Sequence, residues 1–488
     1  MAAFLGIDYG SSMIKAAVTE SSAQQPTLLM LAAEDPFVPA CAMTRPGSNE
    51  IVVGDEAFRN RRRAGAQAVF PLGEAAMNAD SSLSMHGKRV HGVEIHRNLL
   101  TQVKSVLAAS PSPIPVSTSA LTIPDTWPKA HFGLGAAARS ANLPSPLLVR
   151  EWQTALVMSD IPSLVEVLVV SAGFETCRAT LCRLEGDRWI AARSTTIGNL
   201  SGCGLRRQLV TRFAESVIKL VRKDPRESLE ADQQLHDAVE QLMRQLQRQS
   251  TASTQLAVFG AHLPLSLTRN EVANLLPKPQ EFVTTAIDAL QIRRSKEYPM
   301  GAIVWGELAR LVPIDTWLTA EGIATKMAPL DVLAAGAARL AALTAEHREL
   351  LGGRAAWLTP THGNSDGIDL LEMIPAAFVG ASYLGEICIT LNDSSHEQVT
   401  RTIRDFPFRF GRQRTSDWVL PDDRYAMVSN AHAALLRKGK EIHIRDLDSA
   451  NGTYVNDLRI QEHSLKDGDV FRFGRNGPTF VVTFRDTL

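Results

Sequence analysis

The sequence predicts a multidomain chain of two fold classes, an α/β two-lobed body followed by an all-β sandwich. Three observations carry this. Residues 3–18 and 165–184 each read as a strand, a glycine-containing turn and a second strand. Downstream, apolar residues recur at helical spacing, at Leu205, Leu209, Val210, Phe213, Val217 and Ile218, and again at Leu235, Val239, Leu242 and Leu246. After residue 367 the long helical runs vanish, and short strands alternate with turn signals at 421–423, 437–440, 449–452 and 467–469.

The remaining elements follow in order. Residues 120–143 give a short strand, Pro124 and an alanine-rich helix, and 331–347 form a second alanine-rich helix. The glycine- and polar-containing stretch 351–367 is the best linker candidate. These readings divide the chain into a body over 1–350, a linker over 351–380 and a β module over 381–488. No internal repeat is visible in the sequence.

Bulk properties exclude several function classes. Hydrophobic content of 45% with 21% charged residues is that of an ordinary globular protein, and 488 residues are too many for one core. A formal net charge of −1 provides no global field to recruit nucleic acid or a membrane surface. The local basic cluster Arg61-Arg62-Arg63 has no interleaved aromatics for base stacking and reads as a solvated turn. The five cysteines, at 41, 177, 182, 203 and 388, lack metal-ligand spacing and read as reduced thiols. The N-terminus lacks a basic n-region, and no stretch approaches ~18 apolar residues. The expectation is a cytoplasmic protein without a membrane span.

From about residue 383 onward the chain resembles the forkhead-associated (FHA) family. Gly411-Arg412, Ser429-Asn430-Ala431-His432, Asn451-Gly452-Thr453, Asn456 and Gly468-Asp469 occur in that family's order and spacing. The resemblance implies a phosphothreonine-reading surface. A phosphate held between strand loops needs a fixed cation and a hydroxyl donor. Arg412 supplies the planar fork and Ser429 the hydroxyl. The resemblance further implies that Asn451 orients the peptide backbone and Asn430 contacts peptide or phosphate. Gly411 and Gly452 permit backbone geometries that a side chain would obstruct. His432 is structural, bracing the loop that presents Ser429. By the same resemblance, Met427 stands where the family often places a residue that reads the position three beyond the phosphothreonine, which implies an apolar or permissive choice there.

The body, over most of residues 3–345, resembles the nucleotide-binding domain of the DnaK-type heat-shock chaperones, which belong to the actin-like ATPases. Gly6-Ile7-Asp8-Tyr9-Gly10-Ser11-Ser12 is similar to the first phosphate loop, and residues 168–181 occupy the second. Residues 304–313 occupy the adenosine-proximal motif, and 328–343 the closing helix. The resemblance implies that Asp8 holds magnesium through water and that Gly10, Ser11 and Ser12 line the phosphates. Glu151, Gly173, Thr176 and Gly306 match further nucleotide-site positions.

Several positions depart from that pattern. Ser171 replaces an acid, and Phe174 and Glu175 replace two glycines of the second loop. No lysine stands near 69–73 where the family has one, and Leu330 replaces an aspartate. Phosphoryl transfer depends on positioned cations and magnesium, so these changes work against turnover. No residue is assigned a catalytic role, and ATP or ADP with magnesium is expected to bind weakly or not at all. The expected function is a phosphothreonine-dependent adaptor with a pseudo-ATPase scaffold. Its partners are a phosphothreonine protein that is a Ser/Thr kinase substrate and a second protein on the body. The alternative is an active ATP-dependent, chaperone-like switch regulated by phosphoprotein binding.

Overall fold

A computed structural model describes residues 3–485 apart from 33–34, 46–47, 49, 63–66, 73–81, 86–87, 110–113, 126–129, 160–165, 186–187, 198–199, 277–278, 293–299, 348–357, 361–368, 372, 376–377, 380–385, 393–398, 404–406, 414–415, 422–423 and 439–440. Two compact units emerge: residues 1–159 with 164–375, and residues 376–488 with 160–163.

The first unit is mixed α/β and is built around two sheets. In one, Ala3–Tyr9 lies between its antiparallel hairpin partner Met13–Thr19 and the parallel strand Val116–Ile123, with Pro146–Arg150 parallel beyond. In the other, Glu166–Ala172 lies between antiparallel Cys177–Glu185 and parallel Gly301–Trp305, with Ala324–Met327 parallel beyond. Thr27–Leu28 and Arg188–Ile197 extend the hairpin sides. Both sheets therefore share one strand order and one pattern of directions. The likeness lies in strand order and direction, which leave no repeat in the residues.

Helix Val332–Glu346 packs against the first sheet, with every residue from Val332 to Leu343 buried. A Cβ on Gly6 would lie 2.1 Å from both the Ala334 carbonyl oxygen and the Ala338 nitrogen. A Cβ on Gly336 would lie 2.3 Å from the Thr154 carbonyl oxygen. Backbone meets backbone at both points, which is why this helix is written in alanine and glycine.

Helix Leu229–Arg248 illustrates how sequence pattern sets an element. Ser228 caps its N-terminus, Glu230 and Asp232 sit in the first turn, and Leu235, Val239, Leu242 and Leu246 form the buried stripe. This helix also takes up the basic cluster. Arg61 pairs with Asp237 at 3.2 Å and Arg62 with Asp232 at 2.5 Å. The Arg61 side chain is only 7% exposed and its guanidinium lies 3.8 Å from the Phe58 ring centroid. The expected solvated turn is thus, at Arg61 and Arg62, a packed ionic contact; Arg63 lies outside the described residues.

Within the stretch read as a linker over 351–380, three short strands join existing sheet edges. Asp369–Leu371 pairs with Pro146–Arg150, Leu358–Pro360 pairs with Asp369–Leu371, and Ile374–Pro375 pairs with Arg188–Ile197. The first unit therefore runs to Pro375. Residues 351–357 and 361–368 of that stretch lie outside the described residues.

The second unit is a β-sandwich of a six-stranded and a five-stranded sheet. Its interior is aromatic: Phe410, Phe471, Phe473 and Phe480 are fully buried and Trp418 nearly so. Adjacent rings sit 4.8–5.8 Å apart in tilted, stacked and edge-on pairs. Asn456 and Asp457, both at positive φ, form the two-residue turn between Thr453–Val455 and Leu458–Ile460. The five cysteines form no disulfide and four of them are buried.

Candidate functional site

The sandwich loops bring the residues expected to read phosphate together through backbone contacts. The Arg412 N–H donates to the Ser429 carbonyl at 3.1 Å, and the Gln413 N–H to the Asn430 carbonyl at 3.2 Å. One residue earlier, a Cβ on Gly411 would lie 2.0 Å from the Asn430 oxygen. Glycine is required there, and the lacing fixes Arg412 beside Ser429 independently of side-chain rotamers.

His432 supports the same loop from inside. It is fully buried, its Nδ1 accepts the Ser429 N–H at 3.0 Å, and its Nε2 donates to the Gly452 carbonyl at 3.3 Å. That pairing fixes the neutral tautomer with the proton on Nε2. Burial pushes its pKa down, with the Gly452 bond and the Asp446 charge opposing. The structural role implied for His432 is the role observed.

A second loop closes over Ser429. The Ala450 N–H donates to Ser429 Oγ at 3.0 Å, which occupies one acceptor position of the hydroxyl and leaves its proton to donate outward. Asn451 donates to the Met427 carbonyl at 2.8 Å while remaining exposed. Asp446 holds this loop in shape, accepting from the Ser449 N–H at 2.9 Å and from the Ser449 and Thr453 hydroxyls at 2.6 Å each. Burial alone would raise the Asp446 carboxyl. The Ser449 and Thr453 donors outweigh it and hold the group below the usual carboxylate range. Met427 is half-buried and Asn430 exposed at the rim. Gly411, Arg412, Met427, Ser429, Asn430 and Asn451 thus belong to one constellation. Sequence reasoning missed Asp446, whose signal was its place three residues before Ser449 in a buried turn.

In the first unit, Asp8, Gly10, Ser11, Ser12, Glu151, Gly173, Thr176 and Gly306 all line one cavity of about 120 Å³. Ser171, Phe174, Glu175, Trp305, Glu307 and Leu330 line it as well. Its volume is well below the ~300–1,000 Å³ of ordinary small-molecule sites. The Lys15 ammonium lies 3.4 Å from the Asp8 carboxylate, and the Thr122 hydroxyl also reaches Asp8 at 3.4 Å. Phe174, where the resemblance has glycine, packs edge-on to Phe70 and lies under the Arg206 guanidinium, 4.7 Å from ring centroid to Cζ. The Gly173 and Phe174 carbonyls accept the Gly202 and Cys203 N–H groups at 3.1 and 2.7 Å, anchoring the second loop on the helix that begins at Gly202.

The residues present fit a magnesium nucleotide poorly. Asp8 already has a cation, the cavity is small, and Glu175 brings a further carboxyl to its lining. Sequence reasoning missed Lys15, which faces Asp8 across the hairpin, and Asp125, Arg178, Arg206 and Glu307, whose main partners lie further off in the chain.

Asp125 and Glu151 form a half-buried acidic pair. Burial raises the Asp125 carboxyl to about 6, against the opposing charges of Arg150 and Arg178. Burial and then the Asp125 and Asp8 charges push Glu151 well up. A carboxyl with a raised folded-state pKa costs stability as pH rises from its unfolded value of 3.8 toward about 6. Asp125→Asn is therefore expected to stabilise the protein at pH 7 by up to about 3 kcal/mol. The gain vanishes below about pH 4, where both forms are neutral. Urea unfolding across pH 4–7 measures it, and a pH-independent difference would contradict this origin.

Comparison with known proteins bears on the second unit. Residues 408–474 match the FHA domain family. The chain is 34% identical over 90 residues to the FHA domain-containing protein FhaA of Mycobacterium tuberculosis, covering 18% of this chain and 16% of that protein. It is 39% identical over 66 residues to an ABC transporter ATP-binding/permease protein of the same organism, covering 14% of this chain and 7% of the other. The chain thus spans less than a fifth of the length of either relative. Among the described residues, no helix is long and apolar enough to cross a membrane.

Proposed function

We propose that this protein is a phosphothreonine-dependent adaptor. Its FHA domain captures a partner phosphorylated by a Ser/Thr kinase, and its α/β body serves as a pseudo-ATPase scaffold of the actin-like, DnaK-type fold for a second protein. The observation that carries the reading is the lacing of Arg412 to Ser429. The backbone of the residue that carries the guanidinium is bonded to the residue that carries the hydroxyl, whose acceptor side is filled by the Ala450 N–H. That pair is suited to a dianionic ester and has little use otherwise.

For the body, the duplicated strand order and the gathering of eight matched residues on one cavity support the actin-like reading. The Lys15–Asp8 pair, Glu175 and the small volume support loss of turnover. The purified chain with ATP and magnesium is expected to show no hydrolysis above background. Magnesium-dependent turnover that Asp8→Ala abolishes would sink the pseudo-ATPase reading.

One observation favours the nucleotide-switch alternative. A neighbouring cavity of about 540 Å³ shares Met13, Lys15, Glu307 and Leu330 with the first and is bordered by Arg244 and Arg248. Calorimetric titration with ATP and ADP, with and without magnesium, separates a binding scaffold from one that binds no nucleotide.

A further inference from the structure

Beside the phosphate-reading pair, the rim of the FHA domain carries arginines with no acidic partner among the described residues. Arg459 lies directly against the peptide-orienting loop: a Cβ on Gly452 would be 2.5 Å from its Nε and 3.0 Å from its Cζ. Gly452 follows Asn451, so this guanidinium borders the residue implied to hold the peptide backbone. Arg475 follows Gly474, whose N–H donates to the Gly452 carbonyl at 2.7 Å. A Cβ on Gly474 would lie 3.2 Å from the Asn451 Cβ and 3.3 Å from the Met427 Cε. Both arginines are exposed. The nearby acids are mostly engaged: Asp457 pairs with Arg472 at 2.8 Å, and Asp417 accepts the Arg409 N–H at 2.7 Å. Asp448, exposed in the adjoining turn, is the remaining described carboxylate of these loops.

We infer that the partner presents a second anionic group on the stretch following its phosphothreonine, where Arg459 and Arg475 receive it. The inference rests on the phosphothreonine reading of the site and adds the chemistry of the ligand around it. Met427 provides an apolar contact on the same side, so the favoured peptide combines an aliphatic residue with acidic neighbours. Each exposed charge pair contributes modestly, and two acting together give a preference of about threefold to tenfold over a neutral flank. The anion is either a carboxylate or a second phosphate ester.

The test uses the full chain and three synthetic phosphothreonine peptides differing only in residues after the phosphothreonine: glutamine, glutamate, or one phosphoserine among glutamines. Fluorescence anisotropy at low salt is expected to rank the glutamate or the phosphoserine peptide about threefold to tenfold above the glutamine peptide, and the arm that gains more identifies the source. The ratio is expected to fall toward one in Arg459→Gln/Arg475→Gln, to fall partway in each single variant, and to collapse near 0.5 M salt. Equal affinity for all three peptides, with Arg412→Ala still abolishing binding, overturns this inference and leaves the phosphothreonine reading standing. Binding that survives both phosphatase treatment and Arg412→Ala overturns the underlying reading instead.

Discussion

Arg412→Ala is expected to weaken phosphothreonine-peptide binding by about 100-fold or more, with the fold intact. A guanidinium fork on a phosphate makes up to two charge-assisted hydrogen bonds, each worth ~1.5–3 kcal/mol. Losing both exceeds the 1.4 kcal/mol per decade of affinity more than twice over. Arg412→Lys is expected to recover little, because a point charge cannot reproduce the planar geometry. Ser429→Ala removes one donor and is expected to cost about tenfold to a hundredfold. Both residues are half-buried, and the backbone bond between them is made by groups that neither substitution removes. Anisotropy with a phosphorylated peptide and its unmodified twin measures each loss, and thermal unfolding checks the fold. An unchanged affinity in Arg412→Ala would remove the basis of the adaptor reading.

Arg206→Ala is expected to destabilise the first unit by about 3–5 kcal/mol. Arg206 is buried between two carboxylates, reaching Glu240 at 2.6 and 3.0 Å and Glu307 at 2.7 and 3.0 Å, with the Gly202 carbonyl at 3.2 Å. Burial alone would raise the Glu240 carboxyl; Arg206 outweighs that and holds it low. A depressed carboxyl contributes stability that is present above its unfolded value near 4.5 and lost as pH falls through the folded value. Removing the arginine takes the main opposing charge from Glu240, so that burial favours its protonated form. The deficit is therefore expected to be greatest at neutral pH and to shrink toward pH 5. Replacing Arg206, Glu240 and Glu307 together by Met, Leu and Leu is expected to cost much less than the single change. Urea midpoints at pH 5 and 7 distinguish these outcomes.

The FHA site was legible in the sequence because its parts are short strings whose mutual geometry is made by backbone contacts at fixed spacing. Gly411-Arg412, Ser429 to His432 and Asn451 to Thr453 each carry their own signal. The cleft of the first unit was legible only in its local loops. Lys15 sits one hairpin turn from Asp8, and Arg206 meets Glu307 across 101 positions; neither spacing follows a local period. The strands of 358–375 escaped because edge pairing creates them, and their own composition is that of a loop. The likeness of the two sheets escaped because strand order leaves no trace in residue identity.

His432 also sets how the loop that presents Ser429 responds to acid. Since Nδ1 is an acceptor for the loop amide, a second proton on the ring would have to displace that amide, and burial already resists it. His432 therefore keeps its neutral, loop-bracing form under mild acid, whereas a phosphate ester changes charge there. Phosphate esters shed their second proton near pH 6, so capture in a moderately acid compartment is governed by the charge state of the messenger.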